Sequence, residues 1–267
     1  MKTLKKTDNS VQNNLKKQAK VNKKPAKQEV DIAKKRFVLS DETPFQAKEA
    51  YKALRTNVMF SMPGSESKCV GVTSSVPSEG KSTTAINLAI SLAQIGKKVL
   101  LVDADMRIPS VAGRMKIKGV PGLSDFLVGE AKIEDAVRNV EEYGIHVLPA
   151  GSIPPDPTGL LEAKHIEHLF SAVRSIYDFV IVDLPPVNSV PDAVILAKHI
   201  DGYLLAVREK VTKHKEIVEA LKHLQLANAN IVGFVSNGGV RDKGRYNGRY
   251  RRSYHRSYQR QETSNEE

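Results

Sequence analysis

The stretch Cys69–Leu88 constrains the fold more strongly than any other part of this sequence, and it reads CVGVTSSVPSEGKSTTAINL. It begins with an apolar run typical of a buried strand and ends in a segment typical of a helix start. The Ser, Pro and Gly residues between the two interrupt regular structure and predict a turn. We therefore expect a strand–turn–helix unit here, which is a building block of α/β folds.

The turn in this unit matches the pattern of a phosphate-binding loop, except that Ser75 stands where the common pattern has Gly. In such a loop, backbone N–H groups surround the phosphates, and the following helix adds the positive end of its dipole. We expect Gly80 to allow close approach of the backbone, Lys81 to reach the terminal phosphates and the Ser82 hydroxyl to hold Mg²⁺. The other nucleotide-binding candidates are the neighbouring residues Ser78, Glu79 and Thr83. A Ser/Gly-rich turn without a ligand is the alternative.

Acidic residues follow two further apolar runs that are typical of buried strands. Asp103 and Asp105 come directly after VLLV, and Asp183 comes directly after FVIV. Because the carboxyl ends of parallel strands lie at one edge of the sheet, we expect these acids near the phosphate loop. Mg²⁺ takes oxygen ligands from a few protein groups, phosphates and water, and a further carboxylate could accept a proton from an attacking hydroxyl.

The remaining pattern alternates strands with helices. Helical segments are predicted at 43–60, 81–95, 160–176, 189–199 and 213–227, and further strands at 145–148, 202–207 and 231–235. This alternation predicts an α/β fold with a mostly parallel sheet and helices on both faces, like that of P-loop NTPases. Asn237, just after the last strand, is a candidate adenine contact, and a turn-forming Asn is the alternative.

The charge of the chain is concentrated at its two ends. Residues 1–36 carry a formal charge of +9 and residues 241–267 a charge of +4, while residues 37–240 carry −2. We expect a disordered basic tail, a globular domain over 37–240 and a flexible second tail. The sequence has one cysteine, and it shows neither a signal peptide nor an apolar run long enough to span a bilayer, so we expect a cytoplasmic protein.

The second tail contains four evenly spaced tyrosines among arginines, in the run RYNGRYRRSYHRSYQRQ. They are Tyr246, Tyr250, Tyr254 and Tyr258. Such a segment cannot form a hydrophobic core, because it has no aliphatic side chain to bury. Arginine with tyrosine could also bind single-stranded nucleic acid by phosphate pairing and base stacking, which is one alternative function.

Taken together, the motifs resemble those of the bacterial tyrosine kinases of capsule and exopolysaccharide operons, in their stand-alone cytoplasmic form. SSVPSEGKST is similar to their Walker A loop, VLLVDADMR to their second Walker motif, and FVIVDLPP to their Walker B motif. The tyrosine-rich tail is similar to their autophosphorylation cluster. The second motif and the tail are the specific part of the resemblance, since many other P-loop ATPases share the first loop.

The resemblance implies a protein-tyrosine kinase that uses ATP and Mg²⁺ to phosphorylate the tail tyrosines of a neighbouring copy in a ring-shaped homo-oligomer. It implies that Asp103 is the catalytic base, with Asp105 and Asp183 around the metal. Arg107 completes the second motif. It also implies a transmembrane adaptor that activates the kinase at the inner face of the membrane, an opposing protein-tyrosine phosphatase, and regulation of polysaccharide synthesis, with no specific nucleic acid.

The sequence departs from the family pattern at two positions. Ser78 stands where family members often have Gly. The family's oligomer motif, Glu-x-x-Arg-x-x-Arg, is present as Glu49, Lys52 and Arg55. Because Lys lacks the planar two-pronged contact of Arg, we expect a weaker or salt-sensitive oligomer.

A positioning ATPase of the Min/Par type is the nearest alternative. Such proteins share the sheet and the Asp-x-Asp region, but they have a signature lysine five residues before the phosphate-loop lysine. Here that position is Val76. The tyrosine tail has no purpose in that class, so the pattern favours the kinase.

Overall fold

In the part of the chain that the structure describes, seven strands form one sheet in the order β3-β4-β2-β5-β1-β6-β7, and only the edge strand β3 runs antiparallel to its neighbour. The computed structural model describes residues 38–62 and 67–238. The strands are β1 (Lys68–Ser74), β2 (Val99–Asp103), β3 (Arg138–Val140), β4 (Ile145–Leu148), β5 (Phe179–Asp183), β6 (Gly202–Arg208) and β7 (Ile231–Asn237). This confirms the prediction of an α/β fold with a mostly parallel sheet.

Helices cover both faces of the sheet. They are α1 (Phe45–Ser61), α2 (Lys81–Ala93), α3 (Val111–Met115), α4 (Leu123–Leu127), α5 (Ile133–Ala136), α6 (Pro157–Glu162), α7 (Lys164–Arg174), α8 (Asp192–Ile195) and α9 (His214–Leu226), with 3₁₀ turns at Glu141–Tyr143 and Leu196–His199. The segments predicted as single helices at 160–176 and 189–199 are each divided into two shorter elements. Among the described residues, none of the helices is long and apolar enough to cross a membrane.

The core lies in two layers, one on each face of the sheet. Side chains alternate between the faces along a strand, so Val180 and Val182 belong to one layer while Phe179 and Ile181 belong to the other. All five residues of β5 are buried, as expected for a central parallel strand covered on both sides.

The sequence predicts Phe45, Ala50, Ala53, Leu54 and Val58 as the buried side of α1, and the structure confirms only part of this set. Val58 is fully buried, but Ala50 and Ala53 are exposed, as is more than a third of Phe45. The residues that pack on the core are Val58 with Tyr51 and Leu54, which lie on one helical stripe. The apolar residues of α1 are spread around the helix, so spacing alone did not identify the side that meets the core.

The sheet register brings the predicted acidic residues to one edge. Asp183 of β5 pairs with Asp103 of β2 on one side and with Val72 of β1 on the other. Because β1 leads into the phosphate loop, Asp183 at the end of β5 and Asp103 at the end of β2 lie at the same edge of the sheet as that loop. The tail tyrosines and residues 1–36 lie outside the described residues.

Candidate nucleotide and phosphoryl-transfer site

The loop between β1 and α2 has two residues in left-handed backbone conformations. Gly80 has φ 94° at the start of α2, and a Cβ placed there would come within 2.7 Å of Asn237 Nδ2. Ser78 has φ 69°, which explains why glycine suits that position, because a side chain is strained there. The loop therefore takes the sharp, close-packed path that a phosphate-binding turn requires.

Lys81 lies among the acidic strand ends. Its ammonium nitrogen Nζ is 2.7 Å from Asp105 Oδ2, 3.5 Å from Asp183 Oδ1 and 3.4 Å from Ser82 Oγ. Burial lowers the pKa of Lys81, but the carboxylates of Asp183 and Asp105 outweigh burial and raise it above its ordinary value. The lysine is thus held positively charged among the acidic strand ends, where the sequence predicts that the terminal phosphates of a nucleotide bind.

Asp103 is fully buried and accepts backbone hydrogen bonds at both oxygens. Oδ2 accepts from the amides of Ser110 (3.1 Å) and Val111 (3.0 Å), and Oδ1 accepts from the amide of Asp105 (3.2 Å). Burial and the neighbouring charge of Asp183 raise the pKa of Asp103 to about 7. A carboxyl group with a pKa near neutrality is suited to exchange protons at physiological pH.

Asp183 supplies a buried oxygen that none of the described residues satisfies. The residue is fully buried, and Oδ2 has no hydrogen-bond partner within 38–62 and 67–238. Burial raises the pKa of Asp183, although Lys81 and the Ser82 hydroxyl oppose this. An unpaired buried carboxylate oxygen next to a hydroxyl is the donor set that Mg²⁺ accepts when phosphates and water complete its shell. Among the described residues, no cluster of His, Cys, Asp and Glu forms a metal cage by itself.

Arg107 of the second motif pairs with a buried acid outside the phosphate loop. Its guanidinium lies 3.2 Å from Asp192 Oδ2 through Nε and 2.7 Å from Thr158 Oγ1 through Nη2. Asp192 is fully buried, and it also accepts a hydrogen bond from Thr158. Sequence reasoning missed Asp192 and Thr158, because neither belongs to a recognisable motif.

Asn237 contacts the phosphate loop from the end of β7. Its Nδ2 donates to the Glu79 carbonyl (2.9 Å) and to Thr84 Oγ1 (3.2 Å). Because a carbonyl only accepts, the amide nitrogen must face the loop, and Oδ1 points elsewhere as an acceptor.

Thr83, at the start of α2, accepts a hydrogen bond from Arg114 Nη1 (3.2 Å).

The Glu49, Lys52 and Arg55 stripe does not join this group. Lys52 Nζ pairs with Glu49 Oε1 at 2.7 Å, and both side chains are about half exposed. Arg55 Nη1 donates to the Ser91 carbonyl of α2 (2.7 Å). Glu49 and Lys52 thus lie on the outer part of α1, where a second molecule could reach them, whereas Arg55 contacts α2.

The fold and the loop define this chain as a P-loop nucleotide-binding protein. A family model described as an AAA domain matches residues 70–230. Tyrosine-protein kinase CpsD of Streptococcus agalactiae is 36% identical over 76% of this chain and 88% of its own length. Tyrosine-protein kinase YwqD of Bacillus subtilis is 39% identical over 71% of this chain and 80% of its own length.

Solved structures agree with these relatives. The kinase domain of the Escherichia coli tyrosine kinase ETK superposes with a TM-score of 0.71 at 30% identity, over 78% of this chain and 86% of that one. The chain therefore belongs to the bacterial tyrosine kinases and is a tyrosine-protein kinase. The septum site-determining protein MinD of Pyrococcus horikoshii is more distant, at 23% identity and a TM-score of 0.57, and shares the fold.

Proposed function

We propose that this kinase transfers the γ-phosphoryl group of Mg·ATP to the tyrosines of its C-terminal tail, Tyr246, Tyr250, Tyr254 and Tyr258. The observation that carries the proposal is the contact of Lys81 with Asp105 and Asp183, which joins all three Walker-type motifs in one buried site. Phosphoryl transfer needs mainly positioning and charge neutralisation, and a loop of amides with one lysine supplies both.

The residues have distinct roles in this reaction. Lys81 neutralises the terminal phosphates, and the amides from Ser78 to Thr83 surround them. The Ser82 hydroxyl and the carboxylates of Asp105 and Asp183 would hold Mg²⁺, which supplies charge stabilisation to the transferring group when bound. The unpaired Oδ2 of Asp183 supports this assignment.

Asp103 acts as the general base in this proposal. As the tyrosine oxygen bonds to the γ-phosphorus, the bond from phosphorus to the β–γ bridging oxygen breaks, ADP leaves, and the phenolic proton passes to the carboxylate. Oδ1 accepts one backbone hydrogen bond from the described residues, so it keeps a lone pair for this proton. Its pKa, raised to about 7, makes the carboxylate basic enough for the task.

Asn237 is proposed to recognise the adenine base of the nucleotide by a hydrogen bond. Both hydrogens of its amide face the loop, which leaves Oδ1 as an acceptor. An acceptor at this position suits the exocyclic amine of adenine and disfavours the carbonyl that guanine carries there.

We further propose a ring-shaped homo-oligomer in which Glu49, Lys52 and Arg55 contact the adjacent copy and each tail reaches a neighbouring site. In this proposal a transmembrane adaptor activates the kinase at the inner face of the membrane, and a protein-tyrosine phosphatase reverses the modification. The cycle regulates capsular or extracellular polysaccharide synthesis. The exposure of Glu49 and Lys52 on α1 supports the oligomer contact, since a second molecule can reach both side chains.

The test is phosphotyrosine formation in the intact chain incubated with Mg·ATP, with and without the adaptor's cytoplasmic segment. Lys81→Met and a chain ending at Val240 are the matched variants. We expect a phosphotyrosine signal from the intact chain and none from either variant. ATP hydrolysis without any phosphotyrosine would instead favour a positioning ATPase, and retention on single-stranded RNA with neither activity would favour a nucleic-acid-binding tail.

A further inference from the structure

Glu79 is an acidic residue inside a loop that is built to bind anions, and the roles assigned above do not explain its carboxylate. The residue is 1% exposed. A buried carboxylate is costly unless hydrogen bonds satisfy it. Its contacts therefore indicate what it does for the loop.

The Glu79 carboxylate closes the loop on one side and ties it to the segment after β6 on the other. Oε2 accepts from the Val76 amide at 2.9 Å, and Oε1 accepts from the Thr212 hydroxyl. The same hydroxyl accepts from the Arg208 amide at 2.8 Å. Since an amide only donates and a carboxylate only accepts, the Thr212 proton must point at Glu79.

Two carbonyl groups of the loop are held from the same direction. The Ser78 carbonyl accepts from Arg208 Nη1 at 3.2 Å, and the Glu79 carbonyl accepts from Asn237 Nδ2 at 2.9 Å. In a planar trans peptide, the C=O and the next N–H point in opposite directions. The amides of Glu79 and Gly80 are consequently directed to the other side of the loop, away from β6 and β7.

We propose that Glu79, held by Thr212, is a positioning residue that aims the loop amides at the nucleotide phosphates before the nucleotide binds. A loop fixed in its bound conformation loses less entropy on binding, so ligand affinity rises. The inference rests on the proposed nucleotide site, and it adds the end of β6 to the elements that build that site.

Thr212→Val tests the proposal, because it removes the hydroxyl and keeps the side-chain volume. We expect the affinity for Mg·ADP, measured by calorimetry, to fall by roughly tenfold, the size of effect that one hydrogen bond to a charged group gives. The KM for ATP should rise by a similar factor, with little change in kcat. Thr212→Ser keeps the hydroxyl and should retain the wild-type affinity for Mg·ADP and the wild-type KM for ATP. Glu79→Gln should lose less affinity for Mg·ADP than Glu79→Ala.

Thr43→Val is the matched control, since the Thr43 hydroxyl likewise accepts a hydrogen bond from a backbone amide, that of Ser40, in the segment before α1. It should leave Mg·ADP affinity unchanged. Unchanged affinity in Thr212→Val and Glu79→Ala, with only a lower melting temperature, would overturn the proposal. If Lys81→Met also kept its affinity for Mg·ADP, the proposed nucleotide site itself would be wrong. The Lys81 variant therefore separates a failure of the site from a failure of the positioning role of Glu79.

Discussion

Lys81 and Asp105 form a close ion pair, with 2.7 Å between Nζ and Oδ2 and side chains that are only 11% and 5% exposed. The pair joins the phosphate loop to the second motif, and Asp183 lies within 3.5 Å of the same ammonium. The positive charge of Lys81 thus has a structural role in addition to the role toward phosphate that we propose.

Replacing Lys81 by Met should therefore destabilise the protein in addition to stopping catalysis. Two buried carboxylates lose their cation, and breaking such a pair typically costs about 3 kcal/mol. Urea unfolding should show this loss in Lys81→Met. The double variant Lys81→Met/Asp105→Leu should recover part of the stability and none of the kinase activity. Equal stability of the wild type and Lys81→Met would contradict the structural role.

The raised pKa of Asp103 predicts opposite pH dependences for activity and stability. As the proposed base, Asp103 must be deprotonated, so kcat should rise with pH and level off above about 7. The folded state binds this proton more tightly than the unfolded state, so its stabilising contribution is complete below the ordinary pKa of 3.8 and is lost as pH rises to about 7.

The measurement is the free energy of unfolding against pH, beside the kcat profile. One such group gives a slope of about −1.4 kcal/mol per pH unit within that window. Asp103→Asn should flatten the slope and abolish turnover. Asp183 has a raised pKa for the same reason, so part of the slope should remain. A stability curve in Asp103→Asn identical to that of the wild type would exclude the raised pKa.

Removing Arg107 should destabilise the chain because Asp192 is fully buried and would lose its charged partner. We expect Arg107→Ala to lower the free energy of unfolding by about 2 kcal/mol. Thr158 still donates to Asp192, which limits the loss. A double-mutant cycle with Asp192→Asn measures the coupling, and strictly additive effects would show that the pair contributes nothing.

Ser78→Gly should stabilise the protein, since φ 69° costs a serine about 1 kcal/mol that glycine does not lose. The greater freedom of glycine in the unfolded chain removes part of this gain. Asn228→Gly, at φ 52° beyond α9, is the control and should gain less, because Asn tolerates this conformation. Thermal unfolding reports both changes. If Ser78→Gly lowered the melting temperature, the serine side chain would stabilise the protein by more than its left-handed backbone conformation destabilises it.

Lys52→Arg should strengthen the proposed oligomer, because Arg can make the planar two-pronged contact with a carboxylate that Lys cannot. Light scattering at low and high salt should show a larger and less salt-sensitive oligomer. Lys48→Arg on the same helix is the control, since Lys48 Nζ donates to a carbonyl, that of Asp41, at 2.9 Å and not to a carboxylate of any described residue. If Lys48→Arg enlarged the oligomer as much as Lys52→Arg, the stripe would have no special role.

Local pattern in the sequence was enough to identify the sheet, the phosphate loop and the acidic strand ends. Strand and helix periods are local properties, and the carboxyl ends of parallel strands must meet at one edge. The amino-acid order alone therefore places Asp103, Asp105 and Asp183 near Lys81. The sequence also carries the family resemblance, through residues that lie within short motifs.

Only the tertiary structure decided how side chains distant in the sequence pair. Arg107 contacts Asp192, Glu79 contacts Thr212, and Asn237 contacts the carbonyl of Glu79. The second and third contacts depend on strand order, which places the ends of β6 and β7 beside the loop after β1. Long-range hydrogen bonds follow from that arrangement and leave no period or spacing in the sequence, so the fold alone reveals them.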